Sequence, residues 1–262
     1  MTVLMHLSDL HFGAHDPLVC AAVQRLAQRL GVAMVVVSGD LTQRATAEQF
    51  EQAARFVQGL HARSTLVLAG NHDLPLFAWW MRWGRSYERF SEQFGMDQEP
   101  VRQMGAFYVV GVNTTRAWRH ERGSLSSAQI EHVALLLARA PPGAWRIVAS
   151  HHPLVARDAE DRDHRPLRAD EAVERWRIAG AQMLLSGHVH QPRLLQPMPG
   201  LWASSAGTAV SHRLRHGSPN SLVVLSTEAS GAVPDGQARV AARWDYCLLY
   251  TSPSPRDKRQ SR

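Results

Sequence analysis

Cysteine is nearly absent from this chain: Cys20 and Cys247 are the whole complement in 262 residues. A disulfide framework is excluded, and a reducing compartment fits that composition. Long apolar runs are missing too. The run near the amino terminus is interrupted by His6 and Asp9 and has no cationic lead. Neither a signal peptide nor a membrane span is expected, and the protein is predicted to be cytoplasmic. Charge of one sign is modest, a net of +6 at pH 7, and the arginines are scattered rather than gathered in a stripe. The electrostatic footprint of a duplex-binding protein is lacking, so no nucleic-acid partner is expected. Linkers and internal repeats are also lacking, which leaves one sizeable domain.

Part of that charge lies in a segment foreign to the rest. Cys247-Leu248-Leu249-Tyr250-Thr251-Ser252-Pro253-Ser254-Pro255-Arg256-Asp257 resembles the conceptual translation of a sequencing adapter. Residues 247–262 are therefore expected to be a non-native tail without bearing on the fold. The tail carries Arg256, Lys258, Arg259 and Arg262 against Asp257, a surplus of three, so half of the +6 belongs to it.

Against this background five short clusters stand out in chain order: Asp9-x-His11, Gly39-Asp40, Gly70-Asn71-His72-Asp73, His151-His152-Pro153 and Gly187-His188-Val189-His190. None contains a thiolate. Neutral imidazole, carboxylate and amide oxygen suit manganese, iron, zinc or cobalt, divalent or mixed-valence. One donor each from Asp9, His11, Asn71, His151, His188 and His190, with two from a bridging Asp40, gives each of two ions four protein donors. Open positions remain for solvent and a substrate oxygen. Two divalent ions offset by Asp9, Asp40 and one bridging hydroxide retain about one positive charge, enough for a phosphodiester monoanion. Metal coordination lowers the pKa of water to about 7, so such a hydroxide is available to attack phosphorus in line. His72, beside Asn71, can then donate to a phosphoryl oxygen or to the leaving group.

Spacing suggests where the clusters stand. Asp9 to Asp40 is 31 residues, and Asp40 to Asn71 is again 31; a βαβ unit needs roughly 30 or more. Each cluster closes a short apolar run, at 3–7, 33–37, 65–69, 147–149 and 183–185, as buried strands should. Phe50, Ala53, Ala54, Val57 and Leu60 recur at helical spacing, and Leu18, Ala22 and Leu26 do so more loosely. The donors should thus fall on loops at the carboxyl ends of strands, where open α/β sheets bind ligands. Further strands are expected at 201–204, 222–226 and 238–246, with a turn-rich link at 192–200 and a charged, exposed insertion at 157–168.

Together the five blocks resemble the calcineurin-like metallophosphoesterase superfamily, whose pattern is D-x-H, GD, GNH(D/E), a later His and GHxH. Stretches 5–13, 38–44 and 70–75 are most similar to its bacterial class III cyclic-nucleotide phosphodiesterase group. The resemblance implies an α/β fold, a four-layer αββα sandwich of two mixed sheets, with residues 1–246 as the metallophosphoesterase domain. It implies that Asp9, His11, Asp40 and His190 hold one metal, that Asp40, Asn71, His151 and His188 hold the other, and that His72 is the catalytic histidine. The implied activity is hydrolysis of a small phosphodiester, a cyclic nucleotide or similar. Two alternatives share the fold. A DNA-repair-type nuclease usually adds a capping domain that this sequence lacks, and a non-catalytic interaction module lacks the histidine that His72 supplies.

His151 is preferred to His152 as ligand, because the run Val148-Ala149-Ser150-His151-x-Pro153 resembles the family's and neighbours at a strand end face opposite ways. Asp73 either orients an imidazole or caps the turn before Pro75. His15, His61, His120, His164, His212 and His216 fall outside the pattern and are expected on the surface. Leu76, Trp80, Trp83, Tyr87 and Phe90 share a helical face, with Phe77 and Trp79 beside it. Packing is the simpler role for that stripe. A nucleobase platform or a homodimer seam is the functional alternative, with Arg82, Arg85 and Arg89 near phosphate.

Overall fold

The apolar runs become strands and the amphipathic segments between them helices. A computed structural model describes residues 2–75, 85–119, 121–158, 160–215, 217–229 and 237–246. The chain runs β1 (Thr2–Leu7), α1 (Pro17–Leu30), β2 (Met34–Val37), α2 (Ala47–Gln58), β3 (Ser64–Val67), α3 (Glu88–Phe94), β4 (Val101–Met104) and β5 (Phe107–Val112). It continues through α4 (Ser127–Ala138), β6 (Trp145–Ser150), α5 (Ala169–Ile178), β7 (Met183–Ser186), β8 (Arg193–Met198), β9 (Leu201–Ser205), β10 (Ser221–Ala229) and β11 (Gln237–Asp245).

One sheet has the order β11-β10-β1-β2-β3 and the other β4-β5-β6-β7-β9-β8. β1, β2 and β3 are parallel, as are β5, β6, β7 and β9, while β10, β11, β4 and β8 join antiparallel. Both sheets are therefore mixed. Alternation along the strands sorts the cores. Met5, Leu7, Val35 and Val37 pack with Val23 of α1 and Phe50 of α2. Their neighbours Leu4, Met34 and Val36 meet Val109, Ile147 and Leu185 of the second sheet. Beyond that sheet, Val110 and Val148 pack with Ile130 of α4 and Trp176 of α5. Helix, sheet, sheet and helix make the four-layer αββα sandwich, and each fully buried Val, Leu or Phe contributes about 1.5–3 kcal/mol to it.

Three local expectations are corrected. The buried stripe of α1 is Val19, Val23 and Ala27, while Leu18 is 67% exposed. Apolar residues occupy both candidate stripes, which differ by one residue or about 100°, so the sequence pattern does not resolve the rotation. Residues 192–200 are mostly β8 rather than a turn. β8 is an edge strand with a register shift between Leu195 and Met198, and edges and bulges are where a strand tolerates a proline such as Pro197. The 157–168 insertion is not simply exposed, since Asp161 is buried, ion-paired with Arg193, and accepts the Arg157 N–H at 3.3 Å.

Of the aromatic stripe, Leu76, Phe77, Trp79, Trp80 and Trp83, with Arg82, lie outside the described residues, as do His120, His216 and the 247–262 tail. Its remaining members are packed. The Phe90 ring meets Phe50 edge-on at 6.4 Å, and Tyr87 Oη lies 2.7 Å from Thr115 Oγ1. Arg85 pairs with Glu88, and Arg89 donates to the Ala45 carbonyl at 2.7 Å. Cys20 is half-buried, and burial pushes its thiol up to about 12. No helix among the described residues is long and apolar enough to cross a membrane.

Candidate metal centre

Parallel strands end in the five clusters: Asp9 and His11 follow β1, Asp40 follows β2, Asn71 follows β3, His151 follows β6, and His188 and His190 follow β7. Backbone hydrogen bonds lace the loops together. Asp9 N–H donates to the Gly39 carbonyl (3.0 Å), His11 N–H to Asp40 (2.9 Å) and Gly187 N–H to His151 (3.0 Å). Asp9, His11, Asp40, His188 and His190 have φ between 44° and 69°, and they are five of the eight described non-glycine residues with positive φ. That left-handed region is sparsely populated by such residues, and strain of this kind gathers at functional sites.

Two donor sets result. Ligand atoms of Asp9, His11, Asp40 and His190 all lie within 4.8 Å of one another. His190 Nε2 is 3.2 Å from Asp9 Oδ1 and 3.1 Å from His11 Nε2. In the second set, His151 Nε2 and His188 Nδ1 each lie 3.0 Å from Asn71 Oδ1. Asp40 stands between them, with Oδ2 at 3.7 Å from His11 Nε2 and Oδ1 at 3.4 Å from His151 Nε2.

The outer ring nitrogens show that these donors suit cations. His151 Nδ1 donates to the Ser38 carbonyl and His190 Nδ1 to the Arg213 carbonyl, both at 2.9 Å. A carbonyl can only accept, so in each neutral ring the proton sits on Nδ1 and the Nε2 lone pair points inward. Lone pairs then face carboxylate and amide oxygens that carry no proton. That is repulsive without a cation and favourable around one.

The electrostatics agree. Burial pushes His11 down to about 4 and His188 well below its usual range, keeping both neutral. Burial also disfavours charge on Asp9 and Asp40, yet both carboxyls are lowered, Asp9 chiefly by the positive charge favoured on His190 beside it and Asp40 chiefly by His151. Only His190 is raised, because Asp9 overrides the effect of burial.

The surrounding side chains hold this frame. Asp73 staples two of the loops by accepting from Gly70 N (2.8 Å), Leu41 N (3.1 Å), Thr42 N (2.9 Å) and Thr42 Oγ1 (2.9 Å). Burial and the nearby Asp40 push its carboxyl up to about 7 against those donors. Gly70 permits the close approach, since a Cβ there would lie 2.2 Å from the Asp40 backbone nitrogen. His152 turns away from both sets, with Nδ1 at 2.8 Å from Thr114 Oγ1 and Nε2 at 3.0 Å from the Glu121 carbonyl.

Burial keeps His6 and His152 neutral down to about 3. Unfolding would let both protonate below about 6.5, so the unfolded state binds more protons and stability falls as pH drops from 6.5 toward 3. The slope is about 1.4 kcal/mol per pH unit for each group. Thermal melts of metal-free protein should lose stability across that window, less steeply for His152→Gln. Identical slopes would contradict the burial argument.

Above the donors is a cavity of about 380 Å³, lined by His72, Glu121, His164, His188, Arg213 and Arg215 among others. His72 Nδ1 faces the Gln43 carbonyl at 3.1 Å, and its backbone N–H donates to Asp40 Oδ1 at 2.8 Å. His164 corrects the surface assignment. Its Nδ1 is 3.3 Å from His188 Nε2 and can accept that proton, leaving His188 Nδ1 toward Asn71. His61 and His212 are exposed and His15 is half-buried. Glu121, His164, Arg213 and Arg215 carry no sequence signal, because they lie outside every motif and reach the cavity only through the fold.

Comparison with known proteins extends the geometry. No curated protein matches in sequence. In fold, the chain is similar to a purple acid phosphatase from yellow lupin (Lupinus luteus) seeds, at 14% identity and TM-score 0.66, over 86% of this chain and 49% of that one. It thus spans about half the length of the lupin protein. A dimetal phosphatase from Danio rerio is 12% identical with TM-score 0.58, over 86% and 92% of the two chains. GAP50, the anchor in the inner membrane complex of Plasmodium, is 12% identical with TM-score 0.60, over 95% and 90%. Such identities speak for architecture alone. The sequence profile described as Calcineurin-like phosphoesterase matches residues 2–192. Because that match runs from the first strand past His190 and takes in every donor cluster, the chain belongs to the calcineurin-like phosphoesterase family.

Proposed function

We propose that the chain is a phosphodiesterase acting on a small diester, a cyclic nucleotide or a compound of similar size. In this reading Asp9, His11, Asp40 and His190 hold one ion, and Asp40, Asn71, His151 and His188 hold a second, from among manganese, iron, zinc and cobalt. Residues 1–246 form the catalytic domain. The observation that carries the proposal is the pair of donor sets facing each other across Asp40 beneath an open cavity of about 380 Å³. That volume suits a nucleotide-sized molecule. Similarity of stretches 5–13, 38–44 and 70–75 to the class III group favours a cyclic nucleotide.

When bound, the ions supply Lewis acidity and lower the pKa of a coordinated water. The protein's own groups do the rest. The backbone carbonyls of Ser38 and Arg213 fix the tautomers of His151 and His190. Asp9 holds the His188 backbone N–H at 3.0 Å, so the two donor sets keep one spacing. His72 is oriented through Nδ1 by the Gln43 carbonyl at the cavity wall, and in its protonated form its Nε2–H would meet a phosphoryl or leaving-group oxygen.

A substrate panel tests the proposal. Metal-loaded protein should cleave cyclic AMP or cyclic GMP and bis(p-nitrophenyl) phosphate faster than p-nitrophenyl phosphate or short single-stranded DNA, and a chelator should abolish the activity. Faster cleavage of the monoester or of the DNA would overturn the diesterase assignment.

A further inference from the structure

Arg213 reaches the centre twice, by different chemistry. Its backbone carbonyl accepts from His190 Nδ1 at 2.9 Å and from Thr208 Oγ1 at 3.0 Å. Its side chain turns into the cavity, where Nη1 lies 3.0 Å from His72 Nε2 and 3.3 Å from Gln43 Oε1. The loop that carries it is anchored away from the cavity. Asn220 Nδ2 donates to the Thr208 carbonyl (3.3 Å) and the Ser211 carbonyl (2.9 Å), and His212 N–H donates to Ala14 (2.9 Å). The guanidinium is therefore delivered from a fixed base to the one wall of the cavity that contains His72.

Its partners there are weak ones. A guanidinium only donates, so His72 Nε2 must be the acceptor, consistent with the ring proton lying on Nδ1 toward the Gln43 carbonyl. Both acceptors of Nη1 are neutral. A phosphoryl oxygen carries charge and can take a guanidinium through two parallel N–H bonds, which makes it roughly twice as strong a partner as a neutral acceptor. A phosphoester entering the cavity thus offers Arg213 a better acceptor within reach of the one it holds.

We propose that Arg213 is a substrate-binding residue whose guanidinium rests on His72 Nε2 and Gln43 Oε1 in the free site and moves to a non-bridging phosphoryl oxygen when substrate binds. The inference rests on the phosphodiesterase reading of the site and adds to it the group that recognises the phosphate. Arg213 therefore contributes directly to affinity for the phosphate group. The carbonyl that fixes His190 belongs to the backbone, so substitutions of the side chain leave that bond in place.

The test uses the full chain loaded with manganese, in wild-type, Arg213→Gln and Arg213→Lys forms, with inorganic phosphate as the probe. Bound metal is measured by elemental analysis, phosphate affinity by calorimetry, and KM and kcat on bis(p-nitrophenyl) phosphate. Arg213→Gln should keep its metal, weaken phosphate binding and raise KM about tenfold or more, with Arg213→Lys recovering part of the loss. Unchanged phosphate affinity and KM at full metal content would overturn the proposal. So would a loss of metal in both variants, which would make the residue structural. Phosphate binding needs no turnover, so a wild-type protein that binds phosphate through Arg213 but cleaves no diester would defeat the phosphodiesterase reading alone.

Discussion

Asp40→Asn is expected to lower bound metal below two ions per chain and to cut phosphodiester turnover about 10,000-fold. Asp40 faces both donor sets, with Oδ2 toward His11 and Oδ1 toward His151. The amide keeps the volume beside Gly70, and its oxygen can still accept the His72 backbone N–H now held at 2.8 Å. What changes is charge. In the proposed arrangement each ion would lose its shared anionic ligand, and charge stabilisation by such ions is worth several kcal/mol, with about 1.4 kcal/mol for each factor of ten in rate. Elemental analysis and hydrolysis of bis(p-nitrophenyl) phosphate provide the readouts. Two ions per chain with turnover within tenfold of wild type would remove Asp40 from its shared position.

His72→Ala should behave differently, keeping its metal while losing turnover by about 100- to 10,000-fold, the range for a positioned acid–base group. No donor of either set is lost, although the His72 ring, besides contacting Gln43 and Arg213, meets the His11 ring edge-on with 4.9 Å between centroids. The size of the loss should depend on the leaving group. p-Nitrophenolate departs with little help, whereas the alkoxide released from a cyclic nucleotide needs a proton. The deficit should therefore be larger for cyclic AMP than for bis(p-nitrophenyl) phosphate. An equal deficit on both substrates would assign His72 to the phosphoryl oxygens rather than to the leaving group. Retained turnover on both would take it out of the reaction.

The architecture was legible wherever a strand is short, branched and buried on both faces. Residues 3–7 and 183–185 read as strands because nearly every side chain there is apolar, and they form β1 and β7. Legibility failed where position in the sheet overrides composition. β8 contains Pro197 and reads as a turn, yet an edge strand with a register shift accommodates it. α1 offers two apolar stripes, and only the sheet beneath it selects Val19, Val23 and Ala27. Around the metal centre the same division holds. Residues within motifs could be read from the chain, but Asp73 admitted two roles, and only the fold gives it four hydrogen bonds, three from the loop after β2 and one from Gly70 in its own loop. His164 came from a charged segment that reads as solvated surface.

The sequence by itself determined the donor types, their order and their place at the ends of predicted strands, because imidazole, carboxylate and amide residues in fixed local spacing are a chemical statement that needs no coordinates. Only the tertiary structure decided which nitrogen of each ring points inward, which histidine of the 151–152 pair turns away, and that Arg213 and His164 stand beside residues far from them in the chain. The reason is physical. Local spacing fixes what a loop carries, whereas distances of about 3 Å between loops depend on two sheets packing face to face, and that packing is a property of the whole core.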